Sequence, residues 1–169
     1  MAQLTPIDIK HATIDDVVFI QQIYAHHVAT GLGTFEEVAP TLAEMTARFN
    51  KITEQNFPFI VAKLDNEVIG YAYAGHFRER SAYRFTVEDS IYIAPAYCGH
   101  GVGRILLDEL ILRCRARGYK QLLAVIGDSN NHGSINLHQK CGFTLTGVMK
   151  DVGYKFERFV DVVIMQLTL

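Results

Sequence analysis

The first third of the chain has the apolar spacing of helices. Thr13 followed by Asp16 has the pattern of a helix cap, and it predicts a first helix that runs to about Thr30. Thr41 with Glu44 repeats this pattern before a second predicted helix. Within the first helix the apolar residues recur every three or four positions: Val17, Ile20, Ile23, Tyr24 and Val28.

From residue 59 onward the pattern is mostly alternating or continuously apolar, which predicts strands. Asp65-Asn66 separates two such runs and predicts a β-hairpin. Two further helices are predicted, one from Val102, with apolar residues at every fourth position to Cys114, and a short one over residues 131–141. The predicted strands are residues 7–12, 59–64, 67–74, 86–93, 122–127, 144–150 and 156–167.

The predicted order is βααβββαβαββ, an α/β fold with a mixed central sheet and helices on both faces. A chain of 169 residues with 49% apolar residues is long enough for one domain with a real core, and we assign residues 1–169 to it. The net charge of −2 argues against a general nucleic-acid binder. No run approaches the ~18 apolar residues of a membrane span, and a signal pattern is lacking, so we expect neither a nucleic-acid nor a membrane partner.

Cys98, Cys114 and Cys141 have neither a metal-ligand spacing nor the even number of a disulfide framework. We therefore expect no metal, and a reducing compartment such as the cytoplasm.

The most informative segment is a strand that leads through a glycine-rich turn into a helix. Gly99, Gly101 and Gly103 alternate just before the amphipathic run. Glycine lets the backbone curl tightly, so several N–H groups can point at one anion beside the helix N-terminus. The turn therefore predicts a phosphate site.

Two common phosphate-binding motifs do not match. A P-loop ends in Gly-Lys-Ser/Thr, whereas Gly103 is followed by Arg104 and Ile105. A dinucleotide fingerprint requires a third glycine where Arg104 or Leu106 stands.

The turn resembles the pyrophosphate-binding motif of the GCN5-related N-acetyltransferases, Gln/Arg-x-x-Gly-x-Gly/Ala, with Cys98 at the first position. The predicted element order is also that of this family. Within it, the chain is most similar to the phosphinothricin and methionine sulfone/sulfoximine N-acetyltransferases. The matching segments are residues 78–83, 86–93, 124–127 and 153–156, with Asp161, Met165 and Gln166.

Acyl transfer to an amine needs a base for the ammonium proton and a donor for the oxyanion. The resemblance implies that Glu88 is the general base, because the glutamate at this place has that role in the family. Alternation places it on the same strand face as Ser90 and Tyr92, opposite Asp89. His138 matches a second family position and is either catalytic or a packing residue; the remaining histidines are interpreted as surface or structural.

The resemblance implies acetyl-coenzyme A as co-substrate. Its pantetheine arm is expected to pair with the backbone of Ile91, Tyr92 and Ile93, like an added strand. Asn131 and Ser134 match positions that touch the coenzyme, although Asn131 is equally suited to capping a helix. The pyrophosphate is expected on the amides of Gly99, His100, Gly101, Val102, Gly103 and Arg104.

For the acceptor, the resemblance implies a pocket lined by Phe35, Arg78, Arg80 and Tyr83. Guanidinium groups suit a bidentate grip on a carboxylate or phosphinate, while a charge cluster is also typical of a solvated face. Of these four residues, Arg80 is the one that we expect first to bind the acceptor.

The sequence thus predicts an N-acetyltransferase that acts on the α-amino group of a small amino acid or analogue, without a covalent enzyme intermediate. Alternatives are acetylation of protein N-termini or other small amines, and an acetyl-coenzyme A sensor without turnover. An aminoglycoside pocket should be acidic, and the arginine-rich segment argues against one. The resemblance also implies a homodimer, which the apolar last strand would support.

Overall fold

The computed structural model describes residues 6–169 and has one mixed sheet of seven strands. The strand order is β1-β2-β3-β4-β5-β7-β6, in which β4 and β5 are parallel and the other neighbours antiparallel. The strands are β1 Asp8–His11, β2 Phe59–Leu64, β3 Glu67–His76, β4 Thr86–Ile93, β5 Gln121–Gly127, β6 Thr144–Lys155 and β7 Arg158–Thr168. The helices are α1 Val17–Thr30, α2 Leu42–Glu54, α3 Val102–Ala116 and α4 His132–Lys140.

The predicted caps and hairpin are present. The backbone N–H of Thr13 donates to Asp16 at 2.9 Å, and Thr41 and Glu44 form a capping box at the start of α2. Asp65 and Asn66 both have positive φ, as a two-residue hairpin turn requires. The predicted order of elements and the α/β class are confirmed.

The end of β6 differs from the prediction. The strand continues to Lys155, because the backbone bulges around Asp151 and then pairs again with β7 at Gly153. Phe156 was predicted as the first residue of β7, but it lies in the turn with a φ of 52°. This correction places Lys155 on a strand, where its backbone pairs with Arg158 of β7.

The helices cover the two faces of the sheet separately. The apolar stripe of α3 packs on one face, where Leu106, Leu107 and Leu110 are fully buried. The helices α1 and α2 cover β2–β4 on the opposite face, around Ile20, Phe49 and other buried residues. On this face the half of the sheet formed by β5–β7 is crossed by the α1–α2 loop, residues 31–41. That loop and the gap between β4 and β5 define the site described next.

None of the helices within residues 6–169 is both long and apolar enough to cross a membrane.

Candidate active site

A cleft opens where β4 and β5 separate. The two strands pair from Thr86↔Gln121 to Glu88↔Leu123, and beyond Glu88 they diverge. The diverging edge of β4, Asp89 to Ile93, faces a cleft of about 1040 Å³. Main-chain groups on such an open edge can bind an extended, amide-bearing chain as an added strand. The predicted coenzyme-pairing residues Ile91, Tyr92 and Ile93 all line the cleft.

The glycine turn closes one end of this cleft. Gly99 and Gly101 have φ of 78° and 85°, which side-chain-bearing residues rarely adopt. Gly101 is the N-cap of α3 and, among the described residues, no side chain caps this helix. The first N–H groups of a helix have no intrahelical acceptor, so those of Val102 and Gly103 are available to an anion. The structure thus fits the phosphates of a coenzyme at this turn.

The third glycine, Gly103, lines the cleft and also allows close helix packing. A Cβ on Gly103 would lie 3.1 Å from Leu137 Cδ2, so its absence lets α3 approach α4 closely. The other two predicted residues of the turn, His100 and Val102, are not among the residues that line the cleft. Val102 has a buried side chain, and His100 Nδ1 lies 2.9 Å from the Cys98 carbonyl. Arg104 lines the cleft and pairs with Asp108.

The start of α4 forms the opposite wall. Asn131 caps the helix, since its Oδ1 accepts from Ser134 N at 3.2 Å, and both residues line the cleft. The capping interpretation of Asn131 is therefore correct, and the residue also lies at the cleft, where its contact with the coenzyme was predicted.

Glu88 lies at the point where β4 leaves β5. Its partly buried side chain is on the face of Ser90 and Tyr73, away from α3 and α4. Burial raises the pKa of Glu88 to about 7, the charge of Asp89 adds to this shift, and Arg78 opposes it. A carboxylate with a pKa near neutral is suited to accept a proton there and to release it again.

His138 is buried against Asp89 on the other face of β4. Both side chains are 2% exposed, and His138 Nε2 lies 2.9 Å from Asp89 Oδ2. The other ring nitrogen, Nδ1, donates to the Ser134 carbonyl at 2.7 Å, because a carbonyl oxygen only accepts. Burial lowers the pKa of His138, but the hydrogen bond and the charge of Asp89 outweigh it and raise the pKa above its ordinary value. Both ring nitrogens thus face oxygen acceptors, an arrangement that favours the protonated ring at the cleft wall.

The four predicted acceptor residues are not grouped in the cleft lining. Arg78, Arg80 and Tyr83 are exposed on the connection between β3 and β4, where Arg78 lies near enough to Glu88 to affect its pKa. The Phe77 ring contacts the Arg78 guanidinium and packs edge-on against Tyr83. Phe35 lies in the α1–α2 loop, against the backbone of Gly153.

Two residues that line the cleft, and one that binds the loop beside it, were missed by the sequence analysis. For Asp89 the sequence analysis gave only its strand face, opposite that of Glu88. A carboxylate on the other face of the strand, next to a candidate base, was a usable signal for a second functional residue. His27, interpreted as surface or structural, lines the cleft with Nε2 2.8 Å from the Ile93 carbonyl. Lys155 was noted only within a matching segment, yet its side chain is buried.

The family assignment rests on a match over most of the chain. Residues 20–143 match the model of the "Acetyltransferase (GNAT) family". The chain belongs to the GNAT acetyltransferase family. This agrees with the open edge of β4 and the glycine turn before α3, and it confirms the predicted family and fold.

Individual GNAT relatives are similar over nearly the whole chain. A phosphinothricin N-acetyltransferase of Alcaligenes faecalis is 54% identical over 92% of this chain and 79% of its own length. An L-methionine sulfoximine/L-methionine sulfone acetyltransferase of Pseudomonas paraeruginosa is 38% identical over 95% of this chain and 94% of its own. A solved GNAT phosphinothricin acetyltransferase of Sinorhizobium meliloti, in complex with AcCoA, superposes with a TM-score of 0.93 at 45% identity, covering 96% of this chain and 88% of that one.

Among residues 6–169, no group of three or more histidine, cysteine, aspartate or glutamate side chains is arranged to hold a metal ion.

Proposed function

We propose that this protein is an acetyl-coenzyme A-dependent N-acetyltransferase for the α-amino group of a small amino acid or analogue, with Glu88 as general base. The observation that carries the proposal is the Glu88 carboxylate, with a pKa of about 7, beside the open edge of β4. The similarity to phosphinothricin and methionine sulfoximine/sulfone acetyltransferases supports this acceptor class.

In the proposed reaction, ionised Glu88 takes a proton from the acceptor's ammonium group, directly or through water. The freed amine attacks the thioester carbonyl carbon, a C–N bond forms and the C–S bond breaks. An N–H group on the open edge of β4 donates to the oxyanion as charge develops on it. The departing coenzyme thiolate takes up a proton, and Glu88 returns its own to solvent.

We propose that His138 assists the departure of the thiolate. Its ring is hydrogen-bonded to Asp89 in the cleft wall, where the protonated form would stabilise negative charge on sulfur. Cys98 is unsuited to be a nucleophile, because burial raises the pKa of its thiol and it lies beside the phosphate-binding turn.

The acceptor pocket is proposed on the Glu88 face of the sheet, between β4 and the α1–α2 loop. Arg78 and Arg80 are proposed to bind the acceptor's carboxylate or phosphinate from the β3–β4 connection, with Tyr83 and Phe35 packing on its side chain. An acceptor that bridges these groups would neutralise the exposed guanidinium charges.

We also propose a homodimer formed through the β6–β7 hairpin, in the cytoplasm. The edge strand β6 exposes a run of large apolar side chains, which is unusual for a free edge. They are Leu145, Val148, Met149, Val152 and Tyr154, with Phe159 on β7. Light scattering should give twice the 19.0 kDa chain mass, and Val152→Lys with Phe159→Lys should give the monomer.

The first experiment is thiol release from acetyl-coenzyme A by the purified protein. Acceptors are free amino acids, phosphinothricin, methionine sulfone, methionine sulfoximine, an aminoglycoside and a short peptide. Release only with the amino acids and analogues is expected, and it would support a role in detoxifying such analogues. Release with the peptide alone would point to protein N-termini. Coenzyme binding without any release would favour the sensor.

A further inference from the structure

A buried lysine on β6 binds the loop that covers the acceptor side of the cleft. Lys155 is 1% exposed, and its Nζ donates to the main-chain carbonyls of Gly31 and Thr34, each at 2.8 Å. Burying an ammonium group is costly unless it is well paired, so this position needs a specific reason. Its acceptors lie 124 and 121 residues away, in the α1–α2 loop.

The loop lies directly on the backbone of the sheet at two glycines. A Cβ on Gly127 of β5 would overlap the Leu32 carbonyl oxygen, and one on Gly153 of β6 would lie 2.6 Å from Phe35 Cζ. Any larger residue at either position would push the loop away from the sheet. Lys155 and the two glycines therefore fix the same five-residue segment, 31–35, on the side that faces the sheet.

The other side of the segment is held by α1 and α2. Thr34 Oγ1 lies 2.8 Å from the Tyr24 hydroxyl, which also donates to Glu36. Glu36 in turn accepts two hydrogen bonds from Arg48 of α2, at 2.6 and 2.8 Å. The segment thus spans from the helical layer to β6, across the gap between β4 and β5.

Residues 31–34 line the cleft on the face of the sheet where Glu88 lies, and Phe35 follows directly. The coenzyme's phosphates are assigned to the α3 end of the same cleft. We propose that Lys155 is a positioning residue: it fixes segment 31–35 as the wall of the acceptor pocket and so sets the affinity for the acceptor amino acid. This inference rests on the proposed function.

The test compares Lys155→Met, which keeps an unbranched side chain one atom shorter and removes its charge, with Lys150→Met, the same change at an exposed lysine of β6. Lys155→Met is expected to raise the acceptor KM at least tenfold, with the acetyl-coenzyme A Kd within threefold and kcat less affected than KM. Lys150→Met should leave all three constants within twofold. A Lys155→Met enzyme whose acceptor KM stays within twofold, or whose two affinities fall in parallel, would overturn the proposal.

Hydrogen exchange gives a readout that does not depend on turnover. Amides of residues 31–38 should exchange at least tenfold faster in Lys155→Met than in the wild type, while those of α3 stay unchanged. If the wild type shows no acetyl transfer but this local change is present, the proposed function fails while the loop contact stands. Unchanged exchange in this segment would refute the positioning role itself.

A double-mutant cycle keeps the proposal testable if Lys155→Met does not fold. Gly153→Ala should raise the acceptor KM at least fivefold, because the new methyl group displaces the Phe35 ring. In a Phe35→Ala background the same change should have less than a twofold effect, since no ring remains to be displaced. Equal effects of Gly153→Ala in both backgrounds would contradict the proposed contact between the Phe35 ring and Gly153.

Discussion

Glu88 should destabilise the folded protein at neutral and alkaline pH, because the buried side chain is costly to ionise. A carboxyl group whose pKa is higher in the folded state stabilises the fold fully below its unfolded pKa, and this contribution is lost as pH rises through the folded pKa. For Glu88 the two values are 4.5 and about 7. Glu88→Gln is neutral at every pH, so it should be more stable than the wild type above pH 7 and equally stable below pH 4.5.

The size of this effect follows from the pKa difference. At about 1.36 kcal/mol per pKa unit, the interval from 4.5 to about 7 gives at most about 3.4 kcal/mol. Because the side chain is partly exposed, solvent screening reduces this to about 1–3 kcal/mol. A gain of about 2 kcal/mol corresponds to a Tm increase of roughly 4–8 °C for a chain of this length.

Thermal unfolding followed by circular dichroism at pH 5 and pH 8 measures the difference directly. Glu54→Gln, at an exposed position in α2, is the matched control and should show no pH-dependent gain. The reasoning is refuted if Glu88→Gln is no more stable than the wild type at pH 8. It is equally refuted if the gain at pH 5 is as large as at pH 8, since burial of charge would then not be its cause.

Three further predictions concern the wall of the cleft. Asp89→Asn should lower the pKa of His138 and destabilise the fold by about 2–4 kcal/mol at neutral pH, because the His138 ring loses its buried carboxylate partner. NMR titration and denaturant unfolding measure these two effects. Gly127→Ala should lower the free energy of unfolding by about 1–3 kcal/mol, since its methyl group would overlap the α1–α2 loop. Gly147→Ala on β6, which has open space around it, should cost less than about 1 kcal/mol in the same unfolding assay. Cys98→Gln should leave the acetyl-coenzyme A Kd within threefold by calorimetry if main-chain amides hold the phosphates; a tenfold change would contradict this.

Local patterns in the sequence predicted the parts of the structure that depend on local interactions. The hairpin at Asp65-Asn66 and the capping box at Thr41 involve residues no more than three apart, so turn and cap chemistry is visible in the sequence. The glycine turn was recognised for the same reason. The packing role of its third glycine, Gly103, was not predicted, because the close approach of Leu137 in α4 depends on tertiary packing.

The contacts that shape the site join distant segments. Asp89 and His138 are 49 residues apart, and Lys155 contacts a loop more than 120 residues earlier in the chain. A single sequence contains no signal for which buried carboxylate meets which histidine. The error at Phe156 has a similar origin, since the bulge around Asp151 lets β6 continue beyond the point where its apolar pattern breaks.

The pH dependence of kcat/KM tests the central claim, that Glu88 is the base, most directly. With acetyl-coenzyme A saturating and phosphinothricin or methionine sulfone varied, log kcat/KM of the wild type should rise with a slope of 1 up to about pH 7. Glu88→Gln should bind acetyl-coenzyme A normally, lack this limb and fall by about 10²–10⁴-fold at pH 7.5. A Glu88→Gln enzyme that keeps the limb near pH 7 and a rate close to that of the wild type would contradict the account.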